Sequence, residues 1–168
     1  MNFMNIQTFL DRYANGQRDF TGIQFREGDL SNLNLKGINL SKANLEGANL
    51  SGTNLQEADL EEAILFDANL EGTDLSRANL RNANCQQASF NGAMLVEANL
   101  EGALLAEAYL DGANLQGANL RNANLVEASI AEANLQGATI EGTNLEECFK
   151  SQTVMPDGSI FSDWEEES

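Results

Sequence analysis

The residues of this chain that could do chemistry are carboxylates and thiols. Among 168 residues there are 26 Asp or Glu and two Cys, but no His. Its absence removes the commonest general base, the usual metal ligand and every Ser-His arrangement. Adjacent carboxylates such as Glu61-Glu62 and Glu146-Glu147 would need a cleft to act as acid and base. No clustered Asp-x-Asp-x-Asp calcium loop is present, and no Gly-rich, phosphate-cradling loop precedes a helix. The types and spacings therefore point away from an enzyme, a metal or a cofactor.

The elements that position these side chains follow from a period of five. From Phe20 through Phe25, Leu30 and Leu35 to Ile130, Leu135, Ile140 and Leu145, every fifth residue is large and apolar, Cys85 being the one small occupant, for 26 consecutive repeats. Two residues before each centre stands a small or modest residue, Ala without exception from Ala78 to Ala138 and Thr at positions such as Thr53, Thr73 and Thr143. Five fits neither the 3.6 of an amphipathic helix nor the 2 of a half-buried strand. It fits a solenoid with short sides of five residues, stacked so that each coil buries its apolar face on the next. With four sides to a coil, the Leu points to the axis and the Ala two residues earlier also points inward. At the parallel-strand spacing of about 4.8 Å the rod has roughly six and a half coils and is a little over 30 Å long.

Gly recurs two residues after the centre, as at Gly22, Gly37, Gly52, Gly102 and Gly142, with Asn32, Asn82 and Asn122 as partial substitutes. Both types tolerate the positive φ of a tight type II corner. Corners that carry Glu57, Glu62, Glu97, Glu107, Glu127 or Glu132 are expected to turn differently. The Asn before each centre, such as Asn44, Asn49, Asn99 and Asn119, is placed to satisfy corner backbone groups.

This register resembles the pentapeptide-repeat family, and residues 18–147 carry the resemblance. It implies an all-β solenoid, a right-handed quadrilateral parallel β-helix. The flanking segments LDRYANGQRDFTG and TVMPDGSIF are similar to the flanks of cyanobacterial members. Some acidic members are dimeric rods that resemble duplex DNA and act on DNA gyrase, so DNA mimicry directed at a basic DNA-binding protein is one function the resemblance implies. This chain departs from that subgroup: its repeats have no inserted loop, and apolar outer residues interrupt its charge.

The ends must be covered, because terminal coils present unpaired strand edges and apolar cross-sections. Residues 1–17 read as an amino-terminal cap, with a helix over 3–15 whose apolar face is Phe3, Ile6, Leu10 and Tyr13 and whose terminator is Gly16. Residues 148–168 read as a cap or tail, with Pro156-Asp157-Gly158 as a turn among Phe149, Val154, Met155, Ile160, Phe161 and Trp164. These large residues are expected to fold back on the last coil or to form an end-to-end dimer contact; monomer and dimer both stay open. No apolar run is long enough for a membrane span and no signal peptide is evident, so the protein is expected in the cytoplasm. Cys85 and Cys148 lie about three coils apart, roughly 15 Å along the axis, too far for a disulfide.

What remains for function is the surface. The net charge is −17, and residues 82–168 hold 14 acidic side chains against only Arg121 and Lys150. Such a field repels nucleic acid and anionic membranes and attracts basic protein surfaces. On the side centred by Phe25, Leu45, Leu65, Cys85, Leu105, Leu125 and Leu145, the corner column includes Glu27, Asp67, Glu107, Glu127 and Glu147. The same side turns Ile64, Phe66, Leu104 and Val126 outward, while another exposes Met94 and Val96 and a third Tyr109. Outward apolar residues where the repeat normally has polar ones are candidate contacts for a protein partner. A non-enzymatic protein-binding scaffold is the leading expectation, with DNA mimicry as the alternative.

Overall fold

The computed structural model describes residues 4–162. Phe3 and Trp164, expected in the two end segments, lie outside the described residues. From Asp19 to Val154 the chain forms parallel single-residue bridges between positions 20 apart, Asp19↔Asn39 at one end and Asn134↔Val154 at the other. A turn follows every bridge, so four sides and four corners make each coil. The sides are too short to count as extended strands, and among the described residues only the tail holds a longer ladder. There β1 (Thr153–Val154) pairs antiparallel with β2 (Ile160–Phe161) around the Pro156-Asp157-Gly158 turn. Parallel pairing thus runs past residue 147, with Phe149 on Ser129 and Val154 on Asn134.

A five-residue unit suffices because it satisfies all five of its own amides. In the unit Ala43-Asn44-Leu45-Glu46-Gly47, Ala43 N–H closes the corner on Leu40 O at 3.0 Å, and Asn44 N–H reaches back to Ile23 O at 2.8 Å. Leu45 and Gly47 donate forward to Ile64 O and Phe66 O at 2.8 and 2.9 Å. The fifth donor, Glu46 N–H, is accepted by the Asn44 side-chain oxygen at 3.2 Å. The recurrent Asn is therefore an Asx cap that completes the backbone accounting. Where Thr replaces the inward Ala, its hydroxyl finds a carbonyl one coil back: Thr53 donates to Leu30 O at 2.6 Å and Thr73 to Leu50 O at 2.9 Å.

The corners with acidic residues do not turn differently. Glu57, Glu62, Glu97, Glu107, Glu127 and Glu132 have φ between 56° and 59°, in the same left-handed region as the glycines. That conformation costs roughly 1–2 kcal/mol for a residue with a Cβ. Two bonds hold it in place at each corner, the turn bond and the inter-coil bond; for Glu107 the latter goes to Val126 O at 3.0 Å. None of the residues at this position is β-branched, the class that the left-handed region excludes most strongly. Gly102 has a second reason to be glycine, since a Cβ there would stand 2.5 Å from Oδ1 of Asn82 on the preceding coil.

Inside, the centres from Leu30 to Leu135 and the Ala residues between them are essentially inaccessible to solvent. Cys85 and Phe90, both fully buried, are consecutive centres of one coil, a small side chain beside a large one in an otherwise leucine-rich stack. Cys85→Leu should consequently overpack that layer and lower stability by about 1–3 kcal/mol. Adding Phe90→Leu should recover most of the loss. Chemical denaturation of the single and double variants measures this, and additive losses would show that the two sites do not compensate.

Helix α1 (Ile6–Ala14) precedes the first coil. Asn5 caps its start by accepting from Thr8 N at 2.8 Å. It ends in a Schellman arrangement: Gly16, at φ 92°, donates to Tyr13 O, and Gln17 donates to Arg12 O, as expected where a left-handed residue follows a helix. The buried face is the expected one only in part. Ile6 is exposed, and Phe9 is fully buried, with ring centroids 4.7 Å from Phe20 and 5.0 Å from Phe25, both edge-on. The first coil presents two aromatic centres, and a third ring packed edge-to-face fits that floor better than aliphatic branches. Met4, Leu10 and Tyr13 pack around it half-buried. At the other end Ile140 and Leu145 are only partly covered. Lys150 takes the next centre position, its ammonium 3.4 Å from Leu145 O and 5.2 Å from the Phe161 ring centroid.

Candidate docking faces

The stacking register distributes the outward apolar residues over three sides. On the second side, centred by Phe25, Leu45 and Leu65, one outer column runs Gln24, Asn44, Ile64, Asn84, Leu104 and Asn124 through successive bridges. Ile64 and Phe66 share a coil, Leu104 follows two coils later and Val126 one coil beyond that. Ile64 and Leu104 are 38% and 41% exposed, while Phe66 and Val126 are half-buried. Asn84 and Gln86 stand between the two apolar levels. Met94 and Val96 lie on the fourth side, in an open groove of about 390 Å³ with Gln56, Ser76, Arg77 and Glu97. Tyr109 is exposed on the third side. The seven candidates therefore do not form one patch; four of them share the second side.

The acidic corner borders that side. Glu27, Asp67, Glu107, Glu127 and Glu147 all have positive φ and all are exposed. Gly47 and Gln87 interrupt the column, and Gln87 Nε2 donates to Glu107 Oε2 at 2.9 Å. Among the described residues no Lys or Arg lies within salt-bridge distance of these five carboxylates, the ion pairs being Arg26–Glu46, Lys36–Glu57, Lys42–Glu62, Arg81–Glu61 and Arg121–Glu141. Phe66 reaches this border, where Glu27, Glu46, Gly47 and Asp67 join it around a shallow pocket of about 250 Å³.

Three of the apolar positions break the backbone accounting described above. Ile64, Met94 and Leu104 each occupy the Asx-cap position, and the amides of Phe66, Val96 and Ala106 have no hydrogen-bond acceptor among the described residues, as also holds for Arg26, Asn91, Glu141 and Ser151 after Gln24, Ser89, Thr139 and Phe149. At Tyr109 the deficit is made good, because Asp111 N–H turns to Asn91 Oδ1 at 2.9 Å. An intramolecular hydrogen bond of this kind contributes about 0.5–1.5 kcal/mol, so the chain forgoes stability at these three levels. Each also places an apolar residue two positions on, Phe66, Val96 or Ala106. The signal was present in the sequence, as interruptions of the Asn column, but its meaning depends on knowing which amide each Asn serves.

The titratable groups offer little chemistry. Burial pushes the Cys85 thiol up to about 12 and that of Cys148 to about 11, the latter partly offset by Lys150; neither is a ready thiolate. Asp19 and Asp29 are held below the usual carboxylate range by hydrogen bonds from Thr21 and Ser31. No helix among the described residues is long and apolar enough to cross a membrane.

The family model for pentapeptide repeats matches the chain in overlapping segments from residue 19 to residue 147. The chain belongs to the pentapeptide-repeat family. Its solved relatives imply a right-handed β-helix. One is HetL, a pentapeptide repeat protein involved in heterocyst differentiation regulation in the cyanobacterium Nostoc sp. strain PCC 7120; it is 28% identical over 94% of this chain and 100% of its own, with a TM-score of 0.67. A pentapeptide repeat protein of the Arabidopsis thaliana thylakoid lumen is 36% identical over 57% of this chain and 67% of its own, with a TM-score of 0.56. Rfr23, from the cyanobacterium Cyanothece 51142, is 29% identical over 90% of this chain and 99% of its own, with a TM-score of 0.36. No curated protein matches the chain.

Proposed function

We propose that this pentapeptide-repeat protein is a non-enzymatic docking protein of the cytoplasm that offers the second side of its rod to a protein partner. The observation that carries this reading is the pairing of exposed apolar residues with forgone Asx caps at Ile64 and Leu104. Outward Ile or Leu adds nothing to a core that is already closed, and replacing Asn removes a hydrogen bond. A contact made outside the chain is the return for both. The relative HetL is involved in regulating differentiation, a kind of role that docking serves.

The unpaired acidic corner supports a second reading, DNA mimicry towards a basic DNA-binding protein such as gyrase. The two readings make opposite demands. For docking, Phe66→Ser with Leu104→Asn should abolish binding to the partner captured from native cells and leave the melting temperature nearly unchanged, because these side chains point outward. For mimicry, Glu107→Gln, Glu127→Gln and Glu147→Gln together should weaken a steeply salt-dependent interaction while the apolar substitutions matter little. Calorimetric titration of the partner separates them, and a gyrase supercoiling assay tests the second directly. Binding that survives the apolar changes and collapses on carboxylate neutralisation overturns docking. At the carboxyl end, exposed Phe149, Ile160 and Phe161 support an end-to-end contact between two copies.

A further inference from the structure

We infer that the element received by the second side is an amphipathic helix with a basic flank, lying along the rod axis. This rests on the docking reading above and adds the chemistry of the partner. The first argument is the state of the backbone. Along the interior of this side the amides and carbonyls are committed to neighbouring coils, as in Leu65 N–H to Asn84 O and Asn84 N–H to Ala63 O at 2.7 and 2.9 Å. An incoming strand would find no ladder to extend, so recognition has to be made by side chains. A helix is the element that presents side chains while satisfying its own backbone.

The second argument is spacing. The Ile64–Phe66 level and the Leu104–Ala106 level are two coils apart, about 10 Å at the parallel-strand spacing, and Val126 stands one coil further on. Residues i and i+7 of a helix are separated by about 10.5 Å. A helix parallel to the axis therefore meets the two apolar levels with one stripe of residues at i, i+3, i+4 and i+7, and its intervening turn passes over Asn84 and Gln86.

The third argument is charge. Asp67, Glu107 and Glu127 follow the apolar levels along one border and have no cation of this chain within salt-bridge distance among the described residues. A helix seated on the apolar strip would bring one flank against that border, where Lys or Arg is favoured and Asp or Glu repelled.

Fluorescence anisotropy on the full chain tests this with a labelled peptide of about 14 residues built only from Leu and Lys, the leucines at helical i, i+3, i+4 and i+7 positions. A peptide of the same composition with the leucines scattered around the helix is the control. The amphipathic peptide should bind at least tenfold more tightly than the control. Ile64→Asn with Leu104→Asn should remove that difference without lowering the melting temperature, because both restore the repeat's Asx cap, and Glu107→Gln with Glu127→Gln should flatten the salt dependence. Equal binding of the two peptides, or undiminished binding to the Asn variant, overturns the inference. If the captured partner is lost on Phe66→Ser and Leu104→Asn while the amphipathic peptide shows no preference, docking stands and the helix is wrong; if the partner is retained as well, both fall.

Discussion

Ala98→Leu should lower the melting temperature of the rod by several degrees, and Ala118→Phe by more. Ala98 is fully buried, and its carbonyl accepts Asn119 N–H of the next coil at 2.9 Å. Ala118 does the same for Thr139 at 2.9 Å. A larger side chain at either position has to displace the centres around it or push neighbouring coils apart. The coils resist separation, since the adjoining bond from Leu100 N–H to Asn119 O is only 2.7 Å long and stretching it exposes polar groups with no solvent to replace it. Overpacking a close-packed core costs typically about 1–3 kcal/mol, roughly 2–4 °C per kcal/mol for a chain of this size. Phenylalanine adds far more volume than leucine, which sets the order of the two variants. Differential scanning calorimetry decides it, and an unchanged transition in both would mean that the axis has room that the burial pattern denies.

The inward positions were legible from the sequence because they depend on one local rule, the alternation of side chains along a five-residue side. The corners were only half legible. Glycine and Asn announce positive φ by their own propensity, but Glu57 and Glu132 do not, and it is the bonds to the next coil that impose the conformation on them. Such bonds, as from Glu57 N–H to Ser76 O, join residues 19 apart in sequence, beyond the reach of any local preference. The amino-terminal helix was visible in its apolar spacing and its Gly16 terminator, but the choice of Phe9 over Ile6 as the buried residue was not. That choice depends on the shape of the surface it meets, set by Phe20 and Phe25.

For the candidate faces, which residues point outward and which side each belongs to follow from the period and a coil of 20. The same spacing interposes Asn84 and Gln86, but the amides left without caps beside Ile64 and Leu104 emerged only with the bonds. The same atomic detail separates the acidic corner from the rest of the charge. Glu46 and Glu141 have ion-pair partners on adjacent coils, whereas Glu107 and Glu127 have none among the described residues.

Phe9→Asp should have the largest effect at the ends, uncovering the first coil. Phe9 is wholly buried against Phe20 and Phe25, so a carboxylate there would be desolvated without a partner. The helix is instead expected to lift away. Loss of a buried phenylalanine side chain alone costs about 3–5 kcal/mol. Detachment would also release the bonds by which this segment covers the coil edge, Tyr13 Oη to Lys36 O and Gln17 Nε2 to Asp19 O, both 2.8 Å. The bared coil then offers unpaired backbone acceptors above an aromatic floor, the combination that templates edge-to-edge pairing between chains. Thermal melting should therefore show a lowered transition, and light scattering should show association that rises with concentration. Leu10→Asp, at a position that is only half-buried, should show both effects in weaker form. A Phe9→Asp variant that stayed monomeric with an unshifted transition would mean that the first coil holds itself closed and that the helix is an ornament on it.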